Sequence, residues 1–252
     1  MRTTMPLLFC LTMMFGLVFQ AGSTSAEPNA DESADKKEKP KLPPALTHYL
    51  GRRVAQTMHY TGAPWLVRES REREEECSAL IKQLKLKPGQ VVCDLGCGNG
   101  FYAVKMAELV AAKGEVLCVD IQPEMLVLLR ERAKVAKLKN ITPILGTLIN
   151  PNLPAGKVDM ILCVDVYHEF SHPVHMLREL RAALAPKGQI VLAEFRAEDR
   201  TVPIKPLHKM SKKQVLKELN ANGFKLARQF DGLPWQHLMF FAKDDDWQPP
   251  KD

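Results

Sequence analysis

The sequence predicts an α/β fold: a doubly wound, mostly parallel sheet of seven strands that ends in an antiparallel C-terminal hairpin. From residue 91 to residue 195, apolar runs of strand length alternate with stretches whose apolar residues recur with the period of a helix. Two further apolar runs, 224–230 and 236–243, follow each other with no helix between them. Alternating strands and helices form parallel sheets with helices on both faces, and two strands joined directly suit a closing hairpin.

The individual elements can be placed in order along the chain. Before the first strand, Cys77, Leu80, Ile81 and Leu84 recur at helical spacing, and Pro88-Gly89 then turns the chain. The predicted strands are 91–95, 115–120, 141–145, 158–164, 189–195, 224–230 and 236–243. The predicted helices are 101–112, one that begins at Pro123, one that follows Pro173, and 211–222, which ends before Gly223.

The turn after the first strand is the strongest functional signal. The sequence V-V-C-D-L-G-C-G-N-G-F-Y, from Val91 to Tyr102, joins an apolar strand to a helix through Gly96, Gly98 and Gly100. Glycines allow positive φ and let a ligand approach the main chain closely. Such a turn binds a nucleotide-like cofactor at the carboxyl end of a parallel sheet.

The spacing within this turn distinguishes between cofactors. In the dinucleotide fingerprint G-x-G-x-x-G the third glycine would occupy position 101, but here it comes one residue early and Phe101 follows. Asp94 lies two residues before Gly96, where a carboxylate would oppose a diphosphate but suit a ligand with a cationic ammonium.

The motif Asp94-x-Gly96-x-Gly98-x-Gly100 resembles the first motif of the class I S-adenosylmethionine-dependent methyltransferases. The resemblance covers roughly residues 75–243. It implies a Rossmann-like fold, S-adenosylmethionine as the cofactor, and methyl transfer as the activity.

Further cofactor contacts are predicted at the ends of the following strands. Asp120 ends the second strand, where a carboxylate can accept hydrogen bonds from both ribose hydroxyls, and Ile121 can pack on the adenine. Thr147 follows the third strand, at a position where many members of the family carry an acid. Asp165 ends the fourth strand, which the resemblance places beside the methionine part of the cofactor. Cys97, within the glycine-rich turn, completes the predicted set.

Catalytic residues are predicted in the segment D-V-Y-H-E-F that follows the fourth strand. Methyl transfer depends mainly on positioning and desolvation, so a general base is needed only when the acceptor must lose a proton. His168 is the first candidate because an imidazole titrates near neutrality, and Tyr167 and Glu169 are the next. An alternative of equal weight is that His168 only packs or caps.

The same segment contains H-E-x-x-H, from His168 to His172. In zinc proteases both histidines lie on one helix. Here Ser171 resembles an N-cap and Pro173 the first helical residue, so the two histidines would straddle a helix start. A looser site that adds His175 has no geometric support, and no metal site is predicted.

Substrate contacts are predicted in two other places. Residues 46–75 interleave aromatic residues, including Trp65, with arginines. This segment is interpreted either as a cover over a substrate pocket or as a helical extension packed on the domain. The long polar loop after the fifth strand contains Arg196 and His208, which could bind an anionic or oxygen-rich substrate.

The N-terminal region has the pattern of an export signal. An apolar stretch from Met5 to Phe19 follows Arg2 and precedes small residues, which predicts a signal peptide over 1–26. The stretch is short for a transmembrane helix, although an uncleaved membrane anchor is an alternative. A charged, proline-rich linker that is predicted to be disordered follows over 27–45, then the domain over 76–244 and a tail over 245–252. A secreted or periplasmic protein without stable membrane insertion after cleavage is therefore expected.

Composition narrows the possible partners. The net charge is +6, with 46% hydrophobic and 25% charged residues. The positive charge is scattered and forms no basic stripe interleaved with aromatic residues, so a nucleic-acid partner is not expected. Five cysteines lie beyond Cys10, an odd number, and three of them fall in apolar strand-like runs. Neither disulfides nor a structural zinc site is expected.

The favoured interpretation is an exported, S-adenosylmethionine-dependent methyltransferase that acts on a small molecule. One alternative is a non-catalytic protein that binds S-adenosylmethionine or a nucleotide with the same fold. A second, an NAD-dependent Rossmann oxidoreductase, is less favoured because of Asp94 and Phe101. The oligomeric state is not predicted.

Overall fold

The computed structural model describes residues 42–249. The predicted signal peptide, the predicted linker up to residue 41, and the last three residues of the predicted tail lie outside the described residues. The strands are β1 (His48–Tyr49), β2 (Arg52–Arg53), β3 (Val91–Leu95), β4 (Glu115–Asp120), β5 (Ile141–Leu145), β6 (Val158–Val164), β7 (Leu184–Phe195), β8 (Phe224–Phe230) and β9 (Gln236–Lys243). The α-helices are α1 (Arg71–Glu75), α2 (Cys77–Leu84), α3 (Phe101–Val110), α4 (Pro123–Val135), α5 (Pro173–Ala183) and α6 (Lys212–Ala221). Three 3₁₀ segments lie at Tyr60–Val67, Tyr167–Glu169 and Pro206–His208.

The seven predicted strands form one sheet in the order β5-β4-β3-β6-β7-β9-β8. The first five strands in this order run parallel, whereas β9 is antiparallel to both β7 and β8. The predicted doubly wound sheet with an antiparallel C-terminal hairpin is therefore confirmed. Because β4 and β6 both flank β3, the chain reverses its direction of winding there, and the carboxyl ends of these strands border a crevice.

Two hydrophobic cores cover the two faces of the sheet. Successive residues of β6 alternate between them: Met160 and Leu162 pack with α2, α3 and α4, while Ile161 and Cys163 pack with α5 and α6. This alternation follows from the two-residue period of a strand. Both faces are buried, which explains why the central strands read as nearly continuous apolar runs.

Several boundaries differ from the sequence prediction. Helix α3 ends at Val110 because Ala111 adopts a positive φ of 57°. Strand β7 begins at Leu184 rather than at 189, and a register irregularity opposite Val158 accommodates the residues that were predicted to form a turn. The N-cap of α5 is His172 instead of Ser171.

The cover segment, residues 46–75, is only partly helical. It begins with the β1–β2 hairpin, continues through the 3₁₀ segment, and ends in the five-residue α1. Arg52 fixes the hairpin to the domain, because its Nε lies 2.6 Å from Glu218 Oε1 and its Nη1 donates to the His168 carbonyl at 2.8 Å. Further along, the Gln122 side chain accepts from Tyr60 N at 2.7 Å and donates to the Met58 carbonyl at 2.9 Å.

Residues at both ends of the described chain contact the domain. At the N-terminal end, the Pro43 carbonyl lies 2.8 Å from His172 Nε2 and Leu46 N donates to the Ser171 carbonyl. In the predicted tail, the indole of Trp247 lies over Gly223, with the Arg181 guanidinium 5.8 Å from its ring centroid.

Candidate active site

A cavity of about 570 Å³ lies at the carboxyl ends of β3, β4 and β6. The strand ends and the residues just beyond them form its floor, the cover segment contributes one wall, and the loop at 203–208 contributes another. This volume falls within the range of about 300–1,000 Å³ that is typical of small-ligand sites. The position at the reversal of strand order is the one expected for a cofactor.

The glycine-rich turn brings bare backbone to this cavity at Gly96 and Gly98. A Cβ on Gly96 would lie 2.6 Å from both methyl groups of Val166, and one on Gly98 would lie 2.6 Å from Leu66 Cδ1. Both glycines also have positive φ, 68° and 53°. Any larger residue would therefore be strained and would displace a side chain that lines the cavity.

The N–H groups of the turn are used within the protein. Gly96 N and Cys97 N both donate to the Val119 carbonyl, at 2.8 and 3.0 Å, and Gly98 N donates to Asp120 Oδ2 at 2.9 Å. We infer that at these residues the turn serves a ligand mainly by close approach of the backbone rather than by donating hydrogen bonds.

Asp120 connects the glycine-rich turn to the end of β4. Its second oxygen, Oδ1, accepts from Gln122 N at 2.9 Å, so each carboxylate oxygen holds one backbone N–H. A carboxylate has about four acceptor positions, so each oxygen keeps a free lone pair. Asp120 lines the cavity, so these free lone pairs can accept hydrogen bonds from two hydroxyl groups of a ligand.

Ile121 and Thr147 also line the cavity, beside Asp120. The Thr147 hydroxyl is engaged locally, because it accepts from Asn150 N at 2.9 Å and donates to the Asn150 carbonyl at 3.1 Å. Ile121 presents an apolar side chain to the same region, which suits the face of an aromatic base.

Three predicted cofactor-binding residues do not line the cavity: Cys97, Gly100 and Asp94. Cys97 is buried, and Gly100 faces α4, where a Cβ would meet Leu129 Cδ1. Asp94 is buried beneath the turn with Oδ2 lacking a hydrogen-bond partner among the described residues. Their contribution to the site is structural or electrostatic rather than by contact.

Two acidic side chains at the cavity, Asp94 beneath the turn and Asp165 in the lining, have raised pKa values. Burial raises the pKa of Asp94 to about 7 against the opposing charge of Arg71. Burial also raises the pKa of Asp165 well above its usual range, and the charges of Glu75 and Glu194 add to this shift. Asp165 lines the cavity, accepts from Gln236 Nε2 at 2.7 Å, and has no partner for Oδ1 among residues 42–249. A cationic ligand would satisfy this oxygen.

His168, Glu169 and His208 form a polar cluster, called here the His-Glu-His cluster, in the wall of the cavity. The ring nitrogens His168 Nε2 and His208 Nδ1 lie 3.0 Å apart. Glu169 Oε1 lies 4.0 Å from the first nitrogen and 3.9 Å from the second, and it accepts from Met58 N at 3.2 Å. The structure therefore brings together residues that are 40 positions apart in sequence.

Glu194 of β7 orients the first of these histidines. Its Oε2 lies 2.6 Å from His168 Nδ1, and its Oε1 accepts from Tyr167 N at 3.0 Å. A carboxylate without a proton can only accept hydrogen bonds, so opposite it His168 Nδ1 is the donor and carries the ring proton. In the neutral imidazole, Nε2 then presents its lone pair toward His208 and the cavity.

The protonation of the cluster follows from these contacts. Burial by itself would lower the pKa of His168, but the charge and the hydrogen bond of Glu194 outweigh it and the pKa is raised. Burial and the neighbouring charge of His168 lower the pKa of His208. Burial raises the pKa of Glu169 to about 7, against the opposing charge of His168. The first proton that the histidine pair acquires therefore resides on His168.

The structure corrects the assignment of Tyr167 as a catalytic candidate. Its side chain is fully buried, its hydroxyl donates to Glu218 Oε2 at 2.7 Å, and it does not line the cavity. Adjacent residues of the 3₁₀ turn point in different directions, so His168 faces the cavity while Tyr167 faces α6.

Of the predicted substrate residues, Arg196 is also corrected. Its guanidinium donates to the carbonyls of Gln236, Asp231 and Leu233, at 2.9, 2.5 and 2.8 Å, and it does not line the cavity. Arg196 therefore fastens the β8–β9 connection. His208 and Trp65 do line the cavity; Trp65 is 47% exposed, and the Arg68 guanidinium lies 3.6 Å from its ring centroid.

Sequence reasoning missed several residues of the cover segment. Arg71 and Glu75 line the cavity, and Arg71 Nε donates to Glu75 Oε2 at 2.9 Å. Their spacing of four residues in a charged helical stretch is usually a sign of a solvated surface pair. Met58 and Leu66 line the cavity as well, and their sequence context contains no signal for it.

Fold and site together define a Rossmann-like enzyme that binds a nucleoside cofactor carrying a positive charge. The unpartnered Asp165 oxygen and the two glycines that bring bare backbone to the cavity fit S-adenosylmethionine, which has an adenosine, an ammonium and a sulfonium. Residues 86–244, more than half of the chain, match the family described as a methyltransferase domain, and the chain belongs to that family. These residues form a domain of the S-adenosylmethionine-dependent methyltransferase class.

Known proteins with similar structures and sequences agree. A SAM-dependent methyltransferase from Aquifex aeolicus has a TM-score of 0.69 and 25% sequence identity, covering 73% of this chain and 98% of its own. The tRNA U34 carboxymethyltransferase of Campylobacter lari is 31% identical over 148 residues, which is 55% of this chain and 49% of the relative. The demethylmenaquinone methyltransferase of Listeria welshimeri is 28% identical over 110 residues, which is 44% of this chain and 47% of the relative.

The chain spans at most about half the length of these curated relatives, so the similarity covers their shared domain. These comparisons decide in favour of an enzyme over a non-catalytic binding protein, and in favour of S-adenosylmethionine over NAD. Within residues 42–249, no helix has the length and apolarity that a membrane crossing requires.

Proposed function

We propose that this methyltransferase transfers a methyl group to a small molecule whose accepting atom carries a removable proton, such as a hydroxyl, thiol or amine. The observation that carries the proposal is His168, whose Nε2 faces the cavity while Glu194 holds Nδ1 at 2.6 Å. When bound, S-adenosylmethionine supplies a methyl group on an electrophilic sulfonium. The remaining requirements fall on the protein: it must bind the acceptor, exclude water and remove a proton.

Two groups of residues that line the cavity support a division of labour. Asp120, Ile121 and Asp165 lie at the strand ends, where they would hold the adenosine and the cationic part of the cofactor. The His-Glu-His cluster, together with Trp65, would face the acceptor. His168 would accept the proton at Nε2, and the ionised Glu194 would stabilise the imidazolium that forms.

The walls of the cavity favour a small acceptor over a nucleic acid. Among the lining residues, the lysines and arginines are Arg71, which pairs with Glu75, and Lys205. Binding to a phosphate backbone depends on several unpaired basic groups. The tRNA U34 carboxymethyltransferases among the relatives make tRNA a necessary control in the test.

An acceptor screen tests this proposal directly. Full-length protein would be incubated with S-adenosylmethionine and panels of phenols, thiols and amines, with release of S-adenosylhomocysteine as the readout. A small-molecule hit whose KM rises on Trp65→Ala, with unchanged affinity for S-adenosylmethionine, supports the proposal. Trp247→Ala is the matched control, because that indole lies over Gly223 and does not line the cavity. Turnover with tRNA and with none of the small acceptors would refute it.

We also propose that the protein is exported, on the strength of the apolar stretch between Met5 and Phe19 and the small residues that precede residue 27. Expression of the full chain, cell fractionation and mass spectrometry of the N-terminus would test this. A mature chain that begins at Glu27 outside the cytoplasm supports export, whereas an intact N-terminus in the cytoplasmic fraction contradicts it.

A further inference from the structure

We propose that the His-Glu-His cluster binds a divalent transition-metal ion at the wall of the cavity. Two imidazole nitrogens and one carboxylate oxygen form the donor set, which suits zinc, iron(II) and similar borderline ions rather than magnesium or calcium. The cluster lines the cavity, so an ion held there could also contact the acceptor.

The distances within the cluster are close to those of a metal site. With bonds of about 2.1 Å, two neighbouring ligands of a tetrahedral or octahedral ion lie about 3.0–3.4 Å apart. The two ring nitrogens, at 3.0 Å, already satisfy this. Glu169 Oε1, at 4.0 and 3.9 Å, would have to move inward by up to about 1 Å. Its hydrogen bond from Met58 N is long, at 3.2 Å, so little opposes this movement.

The surroundings of His168 resemble the outer shell of a metal site. Metal-ligating histidines commonly donate their second ring N–H to a carboxylate, which fixes the tautomer and the orientation of the ring. Glu194 does this for His168, and both side chains are buried, with exposures of 0% and 2%. The arrangement directs the Nε2 lone pair toward the place where the ion would lie.

Three protein ligands leave coordination positions open, as in catalytic metal sites. This part of the inference rests on the proposed function: a hydroxyl or thiol acceptor bound to the ion would lose its proton more readily. In the metal-bound protein His168 would be a metal ligand. Only in the metal-free protein would His168 act as the proton acceptor described above.

His172, the second histidine of the H-E-x-x-H pattern, does not contribute. His172 lies 2.8 Å from the Pro43 carbonyl through Nε2 and 2.9 Å from Ser171 Oγ through Nδ1, so both of its ring nitrogens are engaged. The H-E-x-x-H pattern is therefore not the basis of the site, and the third ligand comes from the loop that carries His208.

Metal titration of the full-length protein, stripped with a chelator and dialysed, tests the proposal. Zinc would be followed by competition with a chromophoric chelator and cobalt(II) by visible absorption, with magnesium as a negative control. We expect one zinc ion per chain. His208→Ala and Glu169→Gln should each weaken binding by at least about 100-fold, and Glu194→Gln by about 10- to 100-fold. The matched control is His48→Ala, which removes an exposed histidine.

The absence of stoichiometric zinc binding, or equal affinities of His208→Ala and His48→Ala, would overturn the proposal. Calorimetry with S-adenosylmethionine on the same variants separates the two hypotheses. Normal cofactor binding with selective loss of zinc supports the metal site. If zinc binds as expected but no acceptor reacts, the site stands and the proposed acceptor chemistry fails. If acceptors react and no metal binds, the proposed acceptor chemistry stands and the metal site fails.

Discussion

Glu194 Oε2 and His168 Nδ1 lie 2.6 Å apart, and both side chains are buried, with His168 lining the cavity. Glu194 is the penultimate residue of β7, His168 lies in the turn that follows β6, and these strands are parallel neighbours in the sheet. The pairing therefore depends on the sheet register and not on a flexible loop. It determines which ring nitrogen of His168 presents a lone pair.

Glu194→Gln should reverse that preference. The glutamine carbonyl can still accept from Tyr167 N, but its amide group then faces His168 Nδ1 and would place the imidazole proton on Nε2. We expect the turnover rate to fall by about 10²- to 10⁴-fold, with affinity for S-adenosylmethionine nearly unchanged. Steady-state kinetics and calorimetry would measure the two quantities. Glu198→Gln, an exposed acid on the following loop, is the control, and a comparable loss there would contradict the assignment.

Asp120→Asn should weaken binding of the cofactor. The carboxylate holds Gly98 N and Gln122 N and keeps lone pairs for two hydroxyls, whereas an amide offers one acceptor oxygen. Loss of hydrogen bonds to a charged group costs about 1.5–3 kcal/mol, which corresponds to a Kd for S-adenosylmethionine that is about 10- to 150-fold higher. Glu124→Gln, an exposed acid on α4, should leave the Kd unchanged in the same calorimetric titration.

Gly96→Ala should destabilise the protein more than Gly156→Ala. The two glycines have nearly equal φ, 68° and 66°, so the backbone strain of about 1–2 kcal/mol is common to both. Only at Gly96 does the added Cβ meet side-chain atoms, the methyl groups of Val166 at 2.6 Å. Overpacking of this kind costs about 1–3 kcal/mol more, measurable by urea unfolding. Adding Val166→Ala should recover part of this difference, and equal destabilisation by the two alanines would show that the steric argument is wrong.

Asp94 should make the free energy of unfolding decrease as pH rises from about 4 to 7. Its pKa in the folded protein is about 7, above that of an unfolded aspartate near 3.9, so the folded state binds the extra proton in this window. Above pH 7 the buried carboxylate is ionised, with Arg71 opposing and Asp120 reinforcing the shift. The free energy of unfolding of Asp94→Asn, relative to that of the wild type, should therefore be higher at pH 8 than at pH 5. Urea unfolding of both proteins at the two pH values measures this difference. A constant difference would exclude Asp94, and Asp245→Asn, at an exposed position, is the control.

The sequence was sufficient for the architecture because the relevant signals are local and repeated. Each central strand is an apolar run of five to seven residues between turn residues, and β8 and β9 were predicted with the bounds that the structure shows. β7 was predicted to begin five residues too late. Its first residues carry Pro186 and Gly188, which usually interrupt a strand, and they join the sheet only through the register irregularity with β6.

The candidate site was less predictable because side-chain direction depends on tertiary contacts. Proximity to the strand ends placed His168 and Glu169 correctly at the cavity, but it applied equally to Tyr167 and Arg196. The first of these two turns toward Glu218, and the second is held by three backbone carbonyls. Every residue has a backbone carbonyl, so the sequence does not show which carbonyls a side chain will bind. The three carbonyls that hold Arg196 therefore could not be predicted.

The cover segment has a consequence for tracing the ancestry of this enzyme. Met58, Trp65 and Leu66 form part of the cavity wall, yet they precede residue 86, where the match to the methyltransferase family begins. Exchange of this N-terminal stretch could give a new acceptor preference to an inherited cofactor site. Relatives that share only the matched domain can then use the same methyl donor and methylate different acceptors. Similarity in that domain therefore does not identify the substrate.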